Sequence, residues 1–281
     1  MLSYKHAFHA GNFADVLKHL SWLDIIGYLE KKPKPFTLYD THSGAGLYQL
    51  NDADAQKTGE YKTGIGAIQA HQFSDPLVKK YLNVCQVFLG RQQYPGSPLI
   101  ALSSLARKEA VELMELHPTE YHSLKAACST WPNAHVHHRD GLEGIIALTP
   151  PPNKRGAILI DPAYEQLSEY TDIVKTVSQV LRRWRNATIV IWYPRLSARA
   201  GNKSGASEKM VNALAEQAGA AFTAELTMTD DSKDAGMYGT GVLVLNPPWE
   251  SDVRISAAMQ EVVTQMPAGT SFACHWLKRA D

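Results

Sequence analysis

The chain has 281 residues, with 28 Lys+Arg against 28 Asp+Glu, and 44% of it is hydrophobic. This composition excludes a disordered polyampholyte, and no apolar run nears the roughly 20 residues that cross a bilayer. The zero formal charge also lacks the basic excess that usually marks a nucleic-acid binder. The first residues, Met1-Leu2-Ser3-Tyr4-Lys5-His6, carry no signal-peptide core, so a cytoplasmic protein without a membrane partner is expected. Cys85, Cys128 and Cys274 are far apart and odd in number, which argues against a disulfide framework or a Cys-rich zinc site.

In chain order, Gly11-Asn12 precedes Phe13, Val16, Leu17, Leu20, Leu23, Ile25 and Ile26, and Asp15 follows Asn12 by three; this is the pattern of a capped helix. Lys18 and His19 are neighbours on that helix and cannot point the same way. One should face a pocket while the other meets phosphate or solvent. A β-rich run covers 36–41. Residues 51–96 then hold no convincing strand, only a helical pattern over 76–89, so they are expected to form an inserted helical subdomain packed on a body made of 1–50 and 97–281.

Further β-rich runs follow at 110–116, 134–139, 156–161, 187–193, 221–228 and 240–245, seven strands in all. Helical patterns over 99–108, 119–129, 166–184, 207–218 and 252–266 separate most of them, which predicts a mostly parallel α/β sheet with helices on both faces. Arg182, Arg183 and Arg185 sit at the end of the amphipathic run that contains Tyr170, Ile173, Val177, Val180 and Leu181, where they suit the negative end of a helix. The polar, Gly-bearing stretch 229–239 has no helical period and predicts an antiparallel return, hence one antiparallel edge.

Three motifs fall at strand ends. Tyr39-Asp40-Thr41-His42-Ser43-Gly44-Ala45-Gly46 is a Gly-rich turn, where open α/β sheets bind ligands. A dinucleotide fingerprint wants a third glycine where Gln49 stands, which disfavours NAD or FAD. Glu115 ends the second strand and Asp140-Gly141 follows the third. A carboxylate at the second can accept both ribose hydroxyls and one at the third an adenine amine, so an adenosine-containing cofactor is expected.

The third motif, Asp161-Pro162-Ala163-Tyr164, follows the fourth strand and resembles the Asp-Pro-Pro-Tyr signature of S-adenosylmethionine-dependent amino-methyltransferases. An amine conjugated to a base is a poor nucleophile because its lone pair is delocalised. A carboxylate and a backbone carbonyl that accept its two N–H bonds favour a more pyramidal nitrogen, while the aromatic ring stacks on the extruded base. Ala163 in place of the second proline keeps these groups but relaxes their support, so weaker activity is expected. Asn246-Pro247-Pro248-Trp249 fits the signature more literally, but it follows the seventh strand and is taken as a chain turn.

Together with Leu2-Ser3-Tyr4-Lys5-His6-Ala7-Phe8-His9-Ala10-Gly11-Asn12, Ala14-Asp15-Val16-Leu17-Lys18-His19, Tyr94-Pro95-Gly96-Ser97-Pro98 and Glu115-Leu116-His117-Pro118, these motifs make the chain resemble the RlmJ family of bacterial 23S rRNA adenine-N6 methyltransferases over nearly its whole length. The resemblance implies a class I S-adenosylmethionine-dependent methyltransferase (Rossmann-like) fold with a helical insertion. It implies S-adenosyl-L-methionine as donor and one adenine of 23S rRNA, protein-free or early in assembly, as acceptor. By the same resemblance His19, His42, Ser97, Glu115, Asp140, Gly141 and Asp161 line the cofactor pocket. Asp161, Pro162 and Tyr164 meet the target base, and Tyr4, His6 and Lys18 belong to an N-terminal segment that closes over cofactor and RNA. Tyr4 and His6 alternate, as side chains on one face of an extended segment do, and so can present a ring and an imidazole to a flipped base.

Two alternatives stay open: an amino-methyltransferase for DNA or a protein glutamine, and a non-catalytic RNA-binding relative in which Ala163 marks lost chemistry. No metal is expected. His135 and His137 share a strand face and His138 follows, but no second ligand cluster accompanies them, and Ser97 lacks the elbow of a nucleophilic serine.

Overall fold

The computed structural model describes residues 5–106, 109–229 and 236–279. After a 3-10 turn at His6–Phe8, the Asn12 side chain accepts the N–H groups of Ala14 and Asp15 and starts α1 (Phe13–Glu30). Most of α1 is buried, including Asp15, Lys18, His19 and Asp24. It is therefore a core helix, and its polar groups must find partners inside the protein.

β1 (Thr37–Asp40) follows. β2 (Leu47–Gln49) then pairs antiparallel with β3 (Gln93–Pro95), a short ribbon that brackets α2 (Ala53–Thr58), α3 (Ile65–Ile68) and α4 (Pro76–Leu89). Asp75 caps α4, whose buried Val78, Tyr81 and Cys85 face α1 and α5 (Ser97–Ser104). The rest alternates: β4 (Ala110–Glu115), α6 (Pro118–Ala127), β5 (Ala134–His138), α7 (Gly141–Leu148), β6 (Gly156–Ile160), α8 (Leu167–Arg183), β7 (Thr188–Leu196), α9 (Ala206–Gln217), β8 (Ala221–Thr227), β9 (Met237–Leu245), α10 (Ser251–Val263) and β10 (Ser271–Lys278).

The main sheet has the order β10-β8-β9-β7-β6-β1-β4-β5. Neighbours from β5 to β7 run parallel, whereas β9 is antiparallel to both β7 and β8, and β10 is antiparallel to β8. β6 is buried along its whole length, as an apolar central strand covered on both faces must be. One core, around Val16, Leu20, Tyr81, Ile100 and Met259, joins α1, α4, α5 and α10 to one face of the sheet. The other, around Ile145, Ile173, Val177 and Leu214, joins α7, α8 and α9 to the opposite face.

The main sheet thus has eight strands where the sequence predicts seven, and its antiparallel part is wider than one edge. β10 is the added strand. It lies at the rim with mostly half-buried or exposed residues, so it shows no clean apolar alternation. α2, α3 and α7 were also not predicted. The first two are shorter than two turns, and α7 carries Gly141 and Gly144 in only eight residues. The predicted return after β8 pairs antiparallel as expected, although residues 230–235 lie outside the described residues.

α10 is tied to α1 by Asp24, which is 3% exposed and accepts from Arg254 Nε at 2.5 Å and from the Ser251 hydroxyl. Arg254→Met should strand this carboxylate and lower stability by about 3 kcal/mol, the low end for a broken buried pair because Arg254 is itself partly exposed. Urea denaturation checks this.

Candidate active site

Strand register sets the site. Asp40 lies level with Leu113 of β4 and Leu159 of β6, and Glu115 lies opposite His138 of β5, so four parallel strands end together. Beyond them opens a cleft of about 320 Å³, within the range of small-molecule sites. His6, Lys18, His42, Ser97, Glu115, Asp140, Gly141, Asp161 and Pro162 line it.

The turn after β1 needs its glycines. Gly44 and Gly46 have φ of 56° and 74°, and a Cβ on Gly44 would come within 2.2 Å of Tyr48 Oη. Gly141 starts α7 against the same turn, where a Cβ would lie 1.8 Å from the Thr41 carbonyl oxygen. The backbone amides here orient the acids. Gly44 N–H donates to Glu115 Oε2 at 2.8 Å and His117 N–H to Oε1 at 2.6 Å, while Asp140 Oδ1 caps α7 through Glu143 N–H at 2.9 Å. Each carboxylate oxygen has a second lone pair, so Glu115 can still accept two hydroxyls; this pair of acceptors fits the ribose of an adenosine cofactor. Burial raises the Glu115 pKa against the pull of its two amides.

Under the cleft lies a buried charge cluster. Lys18 Nζ donates to Asp161 Oδ2 at 2.5 Å and to Asp15 Oδ1 at 2.7 Å. Asp15 Oδ2 also accepts the Gly11 N–H at 2.8 Å and lies 3.0 Å from His6 Nε2. Burial alone would raise the Asp15 pKa, but the charges of His6 and Lys18 outweigh it and hold the group well below the usual carboxylate range. Burial would likewise lower the Lys18 pKa, yet its two carboxylates raise it. Nearby, Asp40 accepts the Ser97 hydroxyl at 2.6 Å; burial pushes its pKa up to about 7. Burial lowers that of His42, whose Nδ1 sits 2.7 Å from Thr41 Oγ1.

Not every expected residue reaches the cleft. His19 is fully buried on the other side of α1. Its Nδ1 lies 2.7 Å from Tyr94 Oη, its ring stacks on Tyr94, and burial lowers its pKa to about 3. Lys18 thus faces the cleft while His19 packs on Tyr94, and both are buried, as most of α1 is. Tyr164 has φ of 51°, which turns its ring into the core. There it is 3% exposed, donates from Oη to the Trp192 carbonyl at 2.7 Å and packs 4.5 Å from the Tyr170 ring, instead of facing a base. Tyr4 lies outside the described residues.

The remaining motifs have structural places. Asn246 accepts the Gly219 N–H and donates to the Arg185 and Ala187 carbonyls, a staple for the chain turn after β9. His137 lies 2.6 Å from Glu112 and His138 stacks on Tyr121, and among the described residues no group of His, Cys, Asp and Glu is arranged to hold a metal. The sequence identifies Asp15 only as an acid in the first helical turn; its role as a hub depends on chain from 6 to 161.

His19 and Asp40 act oppositely on stability. Between about pH 3 and 6.5 the unfolded state binds the His19 proton and the folded state does not, so this group's contribution rises with pH. Between about pH 3.9 and 7 the folded state holds the Asp40 proton and the unfolded state does not, so its contribution falls with pH. Relative to the parent chain, His19→Asn should therefore lose stability as pH rises from 4 to 6.5, and Asp40→Asn should gain it, by up to about 1.4 kcal/mol per pH unit each. Denaturation across that range reads both slopes.

Known proteins match this arrangement. The family model described as ribosomal RNA large subunit methyltransferase D, RlmJ, matches residues 33–277. Ribosomal RNA large subunit methyltransferase J of Escherichia coli (strain K12) is 37% identical over 279 residues, 97% of each chain. The protein of that name from Haemophilus influenzae is 35% identical over 285 residues, 99% of each chain. A crystal structure of a Legionella pneumophila protein aligns with a TM-score of 0.85 and 33% identity, over 95% of this chain and 98% of that one. With matches this long on both sides, the chain belongs to the RlmJ family of ribosomal RNA large subunit methyltransferases.

Proposed function

We propose that the chain transfers a methyl group to the exocyclic N6 amine of an adenine in 23S rRNA, in the cytoplasm, on RNA that is protein-free or early in assembly. The donor is S-adenosylmethionine, which supplies a methyl group on a positively charged sulfur. In this reading Glu115 accepts its ribose hydroxyls, Asp140 its adenine amine, and Gly141 leaves room at the Thr41 backbone. Ser97, through Asp40, and His42 complete the cofactor wall, and His19 supports that wall from behind α1. Residues 51–96 act as a helical subdomain inserted into a methyltransferase body of 1–50 and 97–281.

The observation that carries the amine specificity is the state of Asp161. Its carboxylate stands at the cleft, 13% exposed, and already accepts an N–H from a nitrogen, that of Lys18, at 2.5 Å. A target amine takes the same acceptor together with the Pro162 carbonyl. Two acceptors on one nitrogen draw its lone pair out of the base and toward the methyl group. Held in line, the reacting atoms gain up to about 7–11 kcal/mol of barrier reduction from positioning. His6 and Lys18 then serve as the acceptor-side wall, with Tyr4 ahead of them in sequence.

Labelled methyl from S-adenosylmethionine should enter protein-free 23S rRNA and appear as N6-methyladenosine after nucleoside digestion. Asp161→Ala should lower the rate by about 100–1,000-fold, the loss of one preorganised hydrogen-bonding group. Transfer to DNA or to a protein glutamine in place of rRNA, or a fully active Asp161→Ala, would defeat the reading. Glu115→Gln should act differently, weakening S-adenosylmethionine binding by about tenfold through its ribose contacts. Calorimetric titration measures this.

A further inference from the structure

We propose that Lys203 is a positioning residue for methyl transfer: it clamps the backbone after Pro162 and replaces the rigidity that a second proline would give at Ala163. The proposal rests on the amine-methylation reading above. Lys203 closes the 3-10 turn Ala198–Lys203 between β7 and α9. Its Nζ donates to the Tyr164 carbonyl at 2.8 Å and to the Glu165 carbonyl at 2.7 Å. These two successive carbonyls belong to the link between β6 and α8 and lie outside either element.

The link needs such a restraint. Tyr164 has φ of 51°, a left-handed conformation that a tyrosine adopts only when its surroundings hold it there. Its side chain is fixed by the Trp192 carbonyl and its backbone by Lys203, so β7 and the turn after it grip this residue from two sides. In an Asp-Pro-Pro-Tyr sequence the second proline would fix its own φ and hold Pro162 in extended geometry. Ala163 does neither. The direction of the Pro162 carbonyl, one of the two acceptors of the target amine, is then set by what fixes residues 164 and 165. An ammonium shared by both carbonyls is a strong fixture, because hydrogen bonds from a charged donor are about twice as strong as neutral ones.

The test separates positioning from folding. Lys203→Met should lower kcat for rRNA methylation by about 10–100-fold, as a small misplacement of a reacting group does, while leaving the melting temperature and the S-adenosylmethionine Kd near those of the parent. Ala163→Pro should restore much of that loss in the Lys203→Met background and change the parent enzyme far less. Amide hydrogen exchange over 162–166 should speed up in Lys203→Met and slow again in the double variant. That last measurement does not depend on the acceptor. If the parent chain makes no N6-methyladenosine, the functional reading fails while exchange still tests the clamp. A parent-like kcat in Lys203→Met, a loss shared equally with cofactor binding and stability, unchanged exchange, or no rescue by Ala163→Pro would each overturn the proposal.

Discussion

Lys18 brings an ammonium group to a place where its residue is 3% exposed, and its desolvation would be prohibitive without Asp15 at 2.7 Å and Asp161 at 2.5 Å. Those two carboxylates come from distant parts of the chain. Asp15 belongs to the same helix as Lys18, and Asp161 directly follows β6, so the pair of contacts fastens α1 under the cleft at the level where the parallel strands stop. The His6 contact to Asp15 extends the connection to the 3-10 turn His6–Phe8. The charge cluster therefore couples three things that would otherwise be independent: the seating of the His6–Phe8 turn, the packing of α1 on the sheet, and the direction of the acid proposed to receive the amine.

The cleft depends on a second constraint, of contact rather than charge. Gly141 lies on the Thr41 backbone, and Gly44 takes a left-handed turn beneath Tyr48, so the loops after β1 and β5 approach as backbones with nothing between them. This closeness leaves Glu115 and Asp140 at the wall with their positions fixed by backbone N–H groups. A parallel sheet supplies the geometry without special residues, since neighbouring strands that run the same way end on the same side. Only the glycines and the acids have to be chosen.

Much of this was legible in the sequence because it is local. The strand that precedes Asp161 is an uninterrupted apolar run, the glycines follow the first strand directly, and position after the fourth strand distinguishes Asp161 from Asn246, which the structure uses as a staple. The features that escaped are those set by distant neighbours. Lys18 has the pattern of a lysine on a solvated helix face, and only the fold that brings Asp161 to the cleft gives this buried group its second partner. His19 is turned toward Tyr94, seventy-five residues away. Tyr164 belongs to a motif whose aromatic ring is expected at the base, yet its backbone has φ of 51° and its ring lies in the α8–α9 core, a choice that no residue pattern around it announces. β10 has no clean alternation because, at the rim of the sheet, its residues are half-buried or exposed.

The cluster also limits how the acid can work. Its two carboxylates raise the Lys18 pKa despite burial, which favours the ammonium and makes Lys18 a poor group to take the proton that a methylated amine would release in the proposed reaction. An amine that reaches Asp161 meets an acceptor already engaged by that ammonium, and it need not break the whole cluster to enter. Lys18 keeps Asp15, at 2.7 Å, as its counter-ion. In the proposed reaction the exchange at Asp161 would replace the ammonium by a neutral N–H donor, so Asp161 would give up its counter-ion while Lys18 keeps one, and only part of the buried pairing is lost. The same exchange alters the electrostatics at the acid. While Lys18 is bound to Asp161, the carboxylate is a weaker acceptor. In the proposed reaction, an ammonium drawn toward Asp15 would leave the negative charge of Asp161 to the amine as positive charge develops on its nitrogen. On that reading Asp15 would allow one acid to be neutralised at rest and available during transfer.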